Sequence, residues 1–245
     1  MKIDVLGVSF DNVTLNEAVA VGARLTEGPE TGYVVTPNPE FILEARKNPA
    51  FARVLAEAAL TVPDGIGVIY ASKILGTPLK EKVAGIAFAS GLMAEMAGKG
   101  KRLFLLGAKP GIAELAAGNL MAQYPGLVVC GTHDGYFKAE ENEAIAEEIR
   151  NTGADVVFVC LGAPKQEFWM AQYGSATGAH LLVGLGGSLD VFAGTVERAP
   201  ESWQKLGLEW LYRLKKEPWR WKRMIRLPLV LWYAVLARLG GRKHG

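Results

Sequence analysis

The chain has 245 residues, half of them hydrophobic, and a formal charge of +2. That is room for one large domain, or a domain with an appendage, around a sizeable core. Its two cysteines, Cys130 and Cys160, lie in or at the end of apolar runs and form no CxxC or zinc-like spacing. This gives no zinc-site signal and points to two reduced, partly buried thiols in a cytoplasmic protein. The opening M-K-I-D-V-L-G-V-S-F has no basic stretch leading into a long apolar one and a cleavage site, so no secretory signal is expected.

In chain order, an N-terminal β-like segment is followed by alternating apolar runs and amphipathic stretches. Tyr33–Val35 predicts a strand and Pro39–Ala58 a helical region. Leu60–Val62 predicts a short strand, with a helix from about Gly65 to Leu75 and another over Ile86–Ala97. Arg102–Leu106 is a strand that breaks at Gly107 and leads into a helix over Ile112–Gln123. Leu127–Cys130 is a strand, Glu140–Asn151 a charged helix, and Asp155–Leu161 and His180–Val183 the last strands. Strands apolar on both faces and separated by helices predict a parallel sheet covered on both sides. The expected fold is α/β: a Rossmann-like three-layer parallel sheet with a helical C-terminal membrane-binding appendage. No fixed-period repeat or low-complexity linker interrupts it.

The appendage is expected from an uneven composition. Residues 201–245 carry 11 Lys and Arg against three Glu, a local +8 that leaves −6 on residues 1–200. Five of the six tryptophans lie in that same end. The break falls near Thr195–Pro200 and divides the chain into a body, 1–195, and a basic, Trp-rich appendage, 196–245.

Ligands of such sheets sit at the carboxyl ends of the strands. Six loops belong there: Thr36–Glu40, Pro63–Gly67, Gly107–Gly111, Gly131–Phe137, Gly162–Glu167 and Gly184–Asp190. Each alone reads as ordinary turn chemistry, whereas six on one sheet edge predict a cleft. Asp64, in T-V-P-D-G-I-G ahead of a helix, is either an N-cap or a general base held where it reaches a substrate hydroxyl. T-P-N-P-E is stiffened by two prolines and offers Thr36 and Asn38 to sugar or phosphate oxygens. It also reads as a helix start with Asn38 as cap and Pro39 first in the helix. In G-A-K-P-G (107–111) the amides of a helix start attract phosphate. In G-A-P-K-Q-E (162–167), Lys165 and Gln166 either meet a nucleotide or diphosphate or merely open a helix.

Other chemistries fit less well. Gly184-Leu-Gly-Gly187 begins like a dinucleotide fingerprint, but Leu189 stands where a glycine is needed and the run follows the last strand, which argues against a nicotinamide site. His133, His180 and His244 have no metal-ligand spacing, and there is no D-x-D. No metal or other cofactor is expected, so side-chain cations would have to meet a leaving diphosphate. Arg213, Arg220 and Arg223, spaced by seven and three, share about one quadrant of a helix that Pro218 interrupts. Their forks match phosphate oxygens, although a basic run is also what a solvated face looks like. The interleaved tryptophans point to a membrane interface. The apolar stretch Leu227–Ala237 has 11 residues and contains Pro228, too short to span a bilayer. The appendage is therefore expected to lie on an anionic membrane surface. The acidic body and the apolar stretch argue against nucleic acid.

Taken together, these segments resemble the WecG/TagA/CpsF glycosyltransferase family over nearly the whole chain. The resemblance rests on V-T-P-N-P-E (35–40), V-P-D-G-I-G (62–67), L-K-E-K-V-A-G (79–85), G-A-P-K-Q-E (162–167), G-G-S-L-D-V-F-A-G (186–194), R-A-P (198–200) and E-W-L-Y-R-L-K-K-E-P-W-R (209–220), in that order. Of the family's members it is most similar to the TagA type. The resemblance implies metal-independent, inverting transfer of N-acetylmannosamine from a UDP-sugar donor to a polyprenyl-diphosphate-linked acceptor, N-acetylglucosaminyl-diphospho-undecaprenol, at the inner face of the cell membrane. This is a step in making the linkage unit of wall teichoic acid.

It further implies Asp64 as general base with Thr36 beside the acceptor, and Asn38, Lys82 and Gln166 near the donor diphosphate. Tyr136 and Asp190 would lie near the nucleoside, with Arg213, Arg220 and Arg223 closing over the site. Position 82 is often arginine in the family, and Lys82 offers a point charge in place of a fork. Two alternatives stand beside this reading: a relative using the uronic acid form of the donor for another surface polysaccharide, and a non-catalytic membrane-bound UDP-binding module. The oligomeric state, homo-oligomer included, is left open.

Overall fold

The computed structural model describes residues 1–200, 202–203, 209–216 and 226–241. Strands β1 (Lys2–Val5) and β2 (Val8–Asp11) form an antiparallel hairpin. Six further strands form one parallel sheet: β3 (Gly32–Val35), β4 (Leu60–Thr61), β5 (Arg102–Gly107), β6 (Val128–His133), β7 (Val156–Cys160) and β8 (Leu181–Gly184), in the order β4-β3-β8-β7-β5-β6. Successive strand residues point to opposite faces. Val35, Phe104, Leu106, Val157, Val159 and Leu182 join one core, and Val34, Leu103, Leu105, Val156, Phe158, Leu181 and Val183 the other. Two cores on one sheet are why these strands carry no polar alternation.

The first core is closed by the hairpin and by α2 (Pro39–Lys47), α3 (Pro49–Ala56), α4 (Ile66–Leu75), α7 (Asn142–Thr152) and α8 (Lys165–Tyr173). The second is closed by α1 (Leu15–Leu25), α5 (Gly85–Ala97), α6 (Ile112–Gln123) and α9 (Ser188–Phe192). This is the three-layer Rossmann-like arrangement. At the β4 edge, Asp11 Oδ2 accepts the Thr61 amide at 2.9 Å, so the hairpin covers backbone that would otherwise invite another strand.

Local chemistry sets the helix ends. Thr14 and Glu17 form a capping box on α1, with each side chain meeting the other residue's backbone amide. The expected helical region Pro39–Ala58 is two helices, because Asn48 ends α2 and its side chain caps α3, with Pro49 first in the new turn. The strand expected at Leu127–Cys130 starts one residue later and runs on to His133, following β5 across a register shift between Leu103 and Phe104.

The described residues of the C-terminal region include helices α10 (Glu209–Lys216) and α11 (Arg226–Gly241). The latter packs on α4 and α2 and buries Val230 and Ala234 fully in the first core. Leu227 seats directly against Gly67 of α4, where any side chain would collide with it. Arg226 pairs with Glu40 at 3.2 Å, the Arg46 guanidinium lies 4.6 Å over the Tyr233 ring, and Arg238 donates to the Leu75 carbonyl at 3.0 Å. On another face of α11, Leu229, Trp232, Leu236 and Leu239 are exposed. No helix among the described residues is long and apolar enough to cross a membrane.

Two glycines give opposite expectations in denaturant unfolding. Gly107 has φ +130, and a Cβ there would run into the Cys160 backbone, so Gly107→Ala should destabilise by about 2–4 kcal/mol. Gly118 is helical, exposed and has nothing within reach of a Cβ. Gly118→Ala should stabilise by about 0.5–1 kcal/mol.

Candidate active site

Strands β3 and β8 are neighbours, but the chain leaves them in opposite directions. From β3 it passes through α2 and α3 to the edge strand β4, and from β8 it enters α9, which packs on α6 at the β5–β6 side. Such a switch opens a crevice between the two departing loops.

Asp64 and Thr36 meet at this crevice. The Asp64 amide donates to the Pro37 carbonyl at 3.1 Å, and Val62 donates to Val35 at 3.0 Å, so the loop after β4 is sewn to the loop after β3. The Asp64 side chain makes no cap on α4, whose N-cap is Gly65. Its Oδ2 instead accepts the Gly85 amide at 3.3 Å, at the start of α5, where the helix dipole favours a carboxylate. The N-cap alternative for Asp64 thus gives way to a contact with a different helix, because Gly65 at φ +96 turns the chain before α4 begins. Thr36 is 8% exposed and donates to the Gly184 carbonyl at 3.2 Å. A Cβ on Gly85 would come within 3.3 Å of Thr36 Oγ1, so the hydroxyl, the α5 terminus and the carboxylate share one small space. Asn38 Oδ1 accepts the Glu40 and Phe41 amides at 2.8 and 3.3 Å. It is the cap of α2, and its amide nitrogen takes no part in those two bonds.

Gln166 is buried between two loops. Its Oε1 accepts the Gly186 amide at 2.9 Å and its Nε2 donates to Glu167 at 2.6 Å. Lys165 Nζ donates to the Gly135 carbonyl at 3.3 Å and lies 4.3 Å over the Phe137 ring, fastening the loop after β7 to the loop after β6. On that second loop Tyr136 is 71% exposed, with its amide donating to Asp134 Oδ1 at 2.7 Å. Asp190 stands in the first turn of α9, and its carbonyl accepts the Thr195 and Val196 amides. Cys160, beneath these loops, is fully buried, and burial pushes its thiol up to about 12, which leaves it unreactive at neutral pH.

Lys82 has a partner that sequence order hides. Its Nζ lies 2.7 Å from Glu209 Oε2 on α10, and Arg198 Nε approaches the other oxygen of that carboxylate at 3.7 Å. Arg220, Arg223 and the Arg213 side chain lie outside the described residues.

The family model for the glycosyl transferase WecG/TagA/CpsF family matches residues 3–244. A Bacillus spizizenii protein is 40% identical over 80% of this chain and 76% of its own length, and one from Bacillus subtilis 37% identical over 80% and 75%. A Staphylococcus aureus protein is 35% identical over 92% of this chain and 88% of its own. All three are named N-acetylglucosaminyldiphosphoundecaprenol N-acetyl-beta-D-mannosaminyltransferase.

Glu167 was not singled out as a functional residue from the sequence, where it reads as one more polar residue opening a helix. It is fully buried, and its Oε2 has no hydrogen-bond partner among the described residues. Burial pushes its carboxyl up to about 7 from 4.5, against the hydrogen bond from Gln166 and one from its own backbone. The native state therefore keeps a proton that the unfolded chain gives up near 4.5. Stability is fully present below that pH and is lost as pH rises through about 7. Glu167→Gln should flatten the fall in unfolding free energy between pH 5 and 8 by roughly 3 kcal/mol. Parallel pH profiles for the two proteins, in urea titrations, would exclude this ionisation.

Proposed function

This chain belongs to the WecG/TagA/CpsF glycosyltransferase family, and on that premise we propose that it transfers N-acetylmannosamine from its UDP donor to the 4-hydroxyl of N-acetylglucosaminyl-diphospho-undecaprenol. The product would serve the linkage unit of wall teichoic acid. The observation that carries the reading is the convergence of Asp64, Thr36 and the α5 terminus at the switch-point crevice. Relatives named for this transfer supply the substrates.

In this scheme Asp64 takes the proton from the acceptor hydroxyl, with Thr36 beside it. The freed oxygen attacks the anomeric carbon on the face opposite UDP and inverts it. Asn38, Lys82 and Gln166 hold the diphosphate, and Tyr136 and Asp190 face the nucleoside. Arg213, Arg220 and Arg223 supply charge to the departing diphosphate, so no divalent metal takes part. Lys82 must exchange Glu209 for phosphate oxygens, which ties donor binding to α10.

We assign the Rossmann-like catalytic body to residues 1–195, and to 196–245 the appendage that lends its arginines to the site and makes the membrane contact. Along α11, Leu229, Trp232, Leu236 and Leu239 are exposed at intervals of three, four and three. That spacing forms one stripe on a helix whose other side is buried in the protein. An apolar stripe carrying a tryptophan and joined to a basic segment suits an anionic bilayer surface, here the cytoplasmic face of the cell membrane.

Two measurements test this. Full-length protein with UDP-N-acetylmannosamine, a lipid-diphosphate acceptor and EDTA should release UDP and form disaccharide only when acceptor is present. Asp64→Asn should cut kcat by about 10²–10⁴-fold with UDP still bound, and near-normal turnover would remove Asp64 from the scheme. UDP binding without product from this or the uronic acid donor would leave a binding module. In vesicle sedimentation, the double variant Trp232→Glu and Leu236→Glu should lose most binding to phosphatidylglycerol vesicles while UDP affinity holds. Unchanged sedimentation would exclude this stripe as the contact.

A further inference from the structure

The Gln166 amide is flat and nearly symmetrical, so only its hydrogen bonds decide which end is oxygen. The Gly186 amide at 2.9 Å demands an acceptor, and Glu167 Oε1 at 2.6 Å demands a donor. The pair is pressed against the end of β8. A Cβ on Gly184 would stand 2.9 Å from Gln166 Nε2 and 3.3 Å from Glu167 Oε1. The carbonyl of that same Gly184 accepts from Thr36 Oγ1 at 3.2 Å. One buried carboxyl thus lies behind a row of contacts that runs through Gln166 to the loop after β8 and adjoins the Thr36 hydroxyl.

A carboxyl is an awkward choice for this place if packing is the only need. It is fully buried, one of its oxygens has no hydrogen-bond partner among the described residues, and Trp169 and Met170 of the same helix are apolar neighbours in the core. A leucine would fill similar space without placing a polar atom there. What leucine could not do is accept the Gln166 N–H.

We propose that Glu167 is a positioning residue for donor binding: it fixes the Gln166 amide end for end and, through Gly186, the loop after β8, without touching substrate itself. This rests on the reading above that Gln166 meets the donor diphosphate. With Glu167 in place, Gln166 can turn only its remaining Nε2 hydrogen toward phosphate oxygens. Without it the amide can flip, and the Gly186 amide then faces a second donor.

The experiment compares wild type, Glu167→Leu, Glu167→Gln and Gln166→Ala as full-length enzymes. It measures UDP binding by calorimetry, steady-state kinetics for each substrate, and thermal midpoints. Glu167→Leu should weaken UDP binding and raise the donor KM by about tenfold, the value of one hydrogen bond lost at a desolvated site. Its kcat and acceptor KM should stay within about threefold, and its thermal midpoint at pH 8 should equal or exceed wild type. Weaker donor binding in a more stable protein is a pattern that a packing role cannot produce. Glu167→Gln keeps an acceptor oxygen and should recover most of the lost affinity. If Glu167→Leu does not fold, Glu167→Met, unbranched and equally unable to accept, takes its place. Wild-type UDP affinity in the Leu or Met protein, with affinity lost in Gln166→Ala, overturns the positioning role alone. Unchanged affinity in Gln166→Ala overturns the donor-site reading of Gln166 and the proposal with it.

Discussion

Thr36 meets the carbonyl of Gly184 because β3 and β8 run parallel and side by side, and the crevice is arranged around that pairing. The two strands come from opposite ends of the chain and leave in opposite directions. Their shared register decides which loop residues face one another: Val34 stands opposite Val183, so Thr36 arrives level with the end of β8. The β4 loop is then drawn in by backbone bonds to Val35 and Pro37, which delivers Asp64. A slip of one residue in β3 would turn Thr36 to the other face of the sheet and separate it from Gly184.

Much of this was legible in the sequence, for a physical reason. Strands buried on both faces carry few polar residues, so V-V-F-V-C and L-L-V-G announce themselves, and most polar residues collect in the loops. Asn38 and Pro39 marked the start of α2 because cap and first-turn preferences are local. The same kind of signal was present for α1 in T-L-N-E (14–17), a capping box ahead of an apolar-periodic stretch, and could have placed that helix. Asn48-Pro49 likewise carried the break that divides α2 from α3.

Contacts made only on folding were not legible. Lys82 and Glu209 are 127 positions apart, and no spacing rule joins them. Asp64 stands directly before Gly65 and α4, yet its carboxylate serves α5, since the chain's path and not its order brings Gly85 beside it. Glu167 is harder still. A glutamate in the first turn of a helix normally faces water, and only the closeness of β8 turns this one inward. The faint trace is its place directly after Gln166, at the start of a helix that closely follows an all-apolar strand.

The docking of α11 has a geometric consequence. Helix α4 begins two residues after Asp64 and carries α11, through Leu227 on Gly67 at one end and Arg238 on Leu75 at the other. The exposed Trp232 stripe and the Asp64 carboxylate are therefore attached to the same short rod. Any surface that the stripe rests on lies at a set height from the carboxylate, and the rod works as a gauge. A flexible tether would let the crevice wander over that surface. With a gauge, the Asp64 carboxylate keeps one fixed distance from whatever plane the stripe meets.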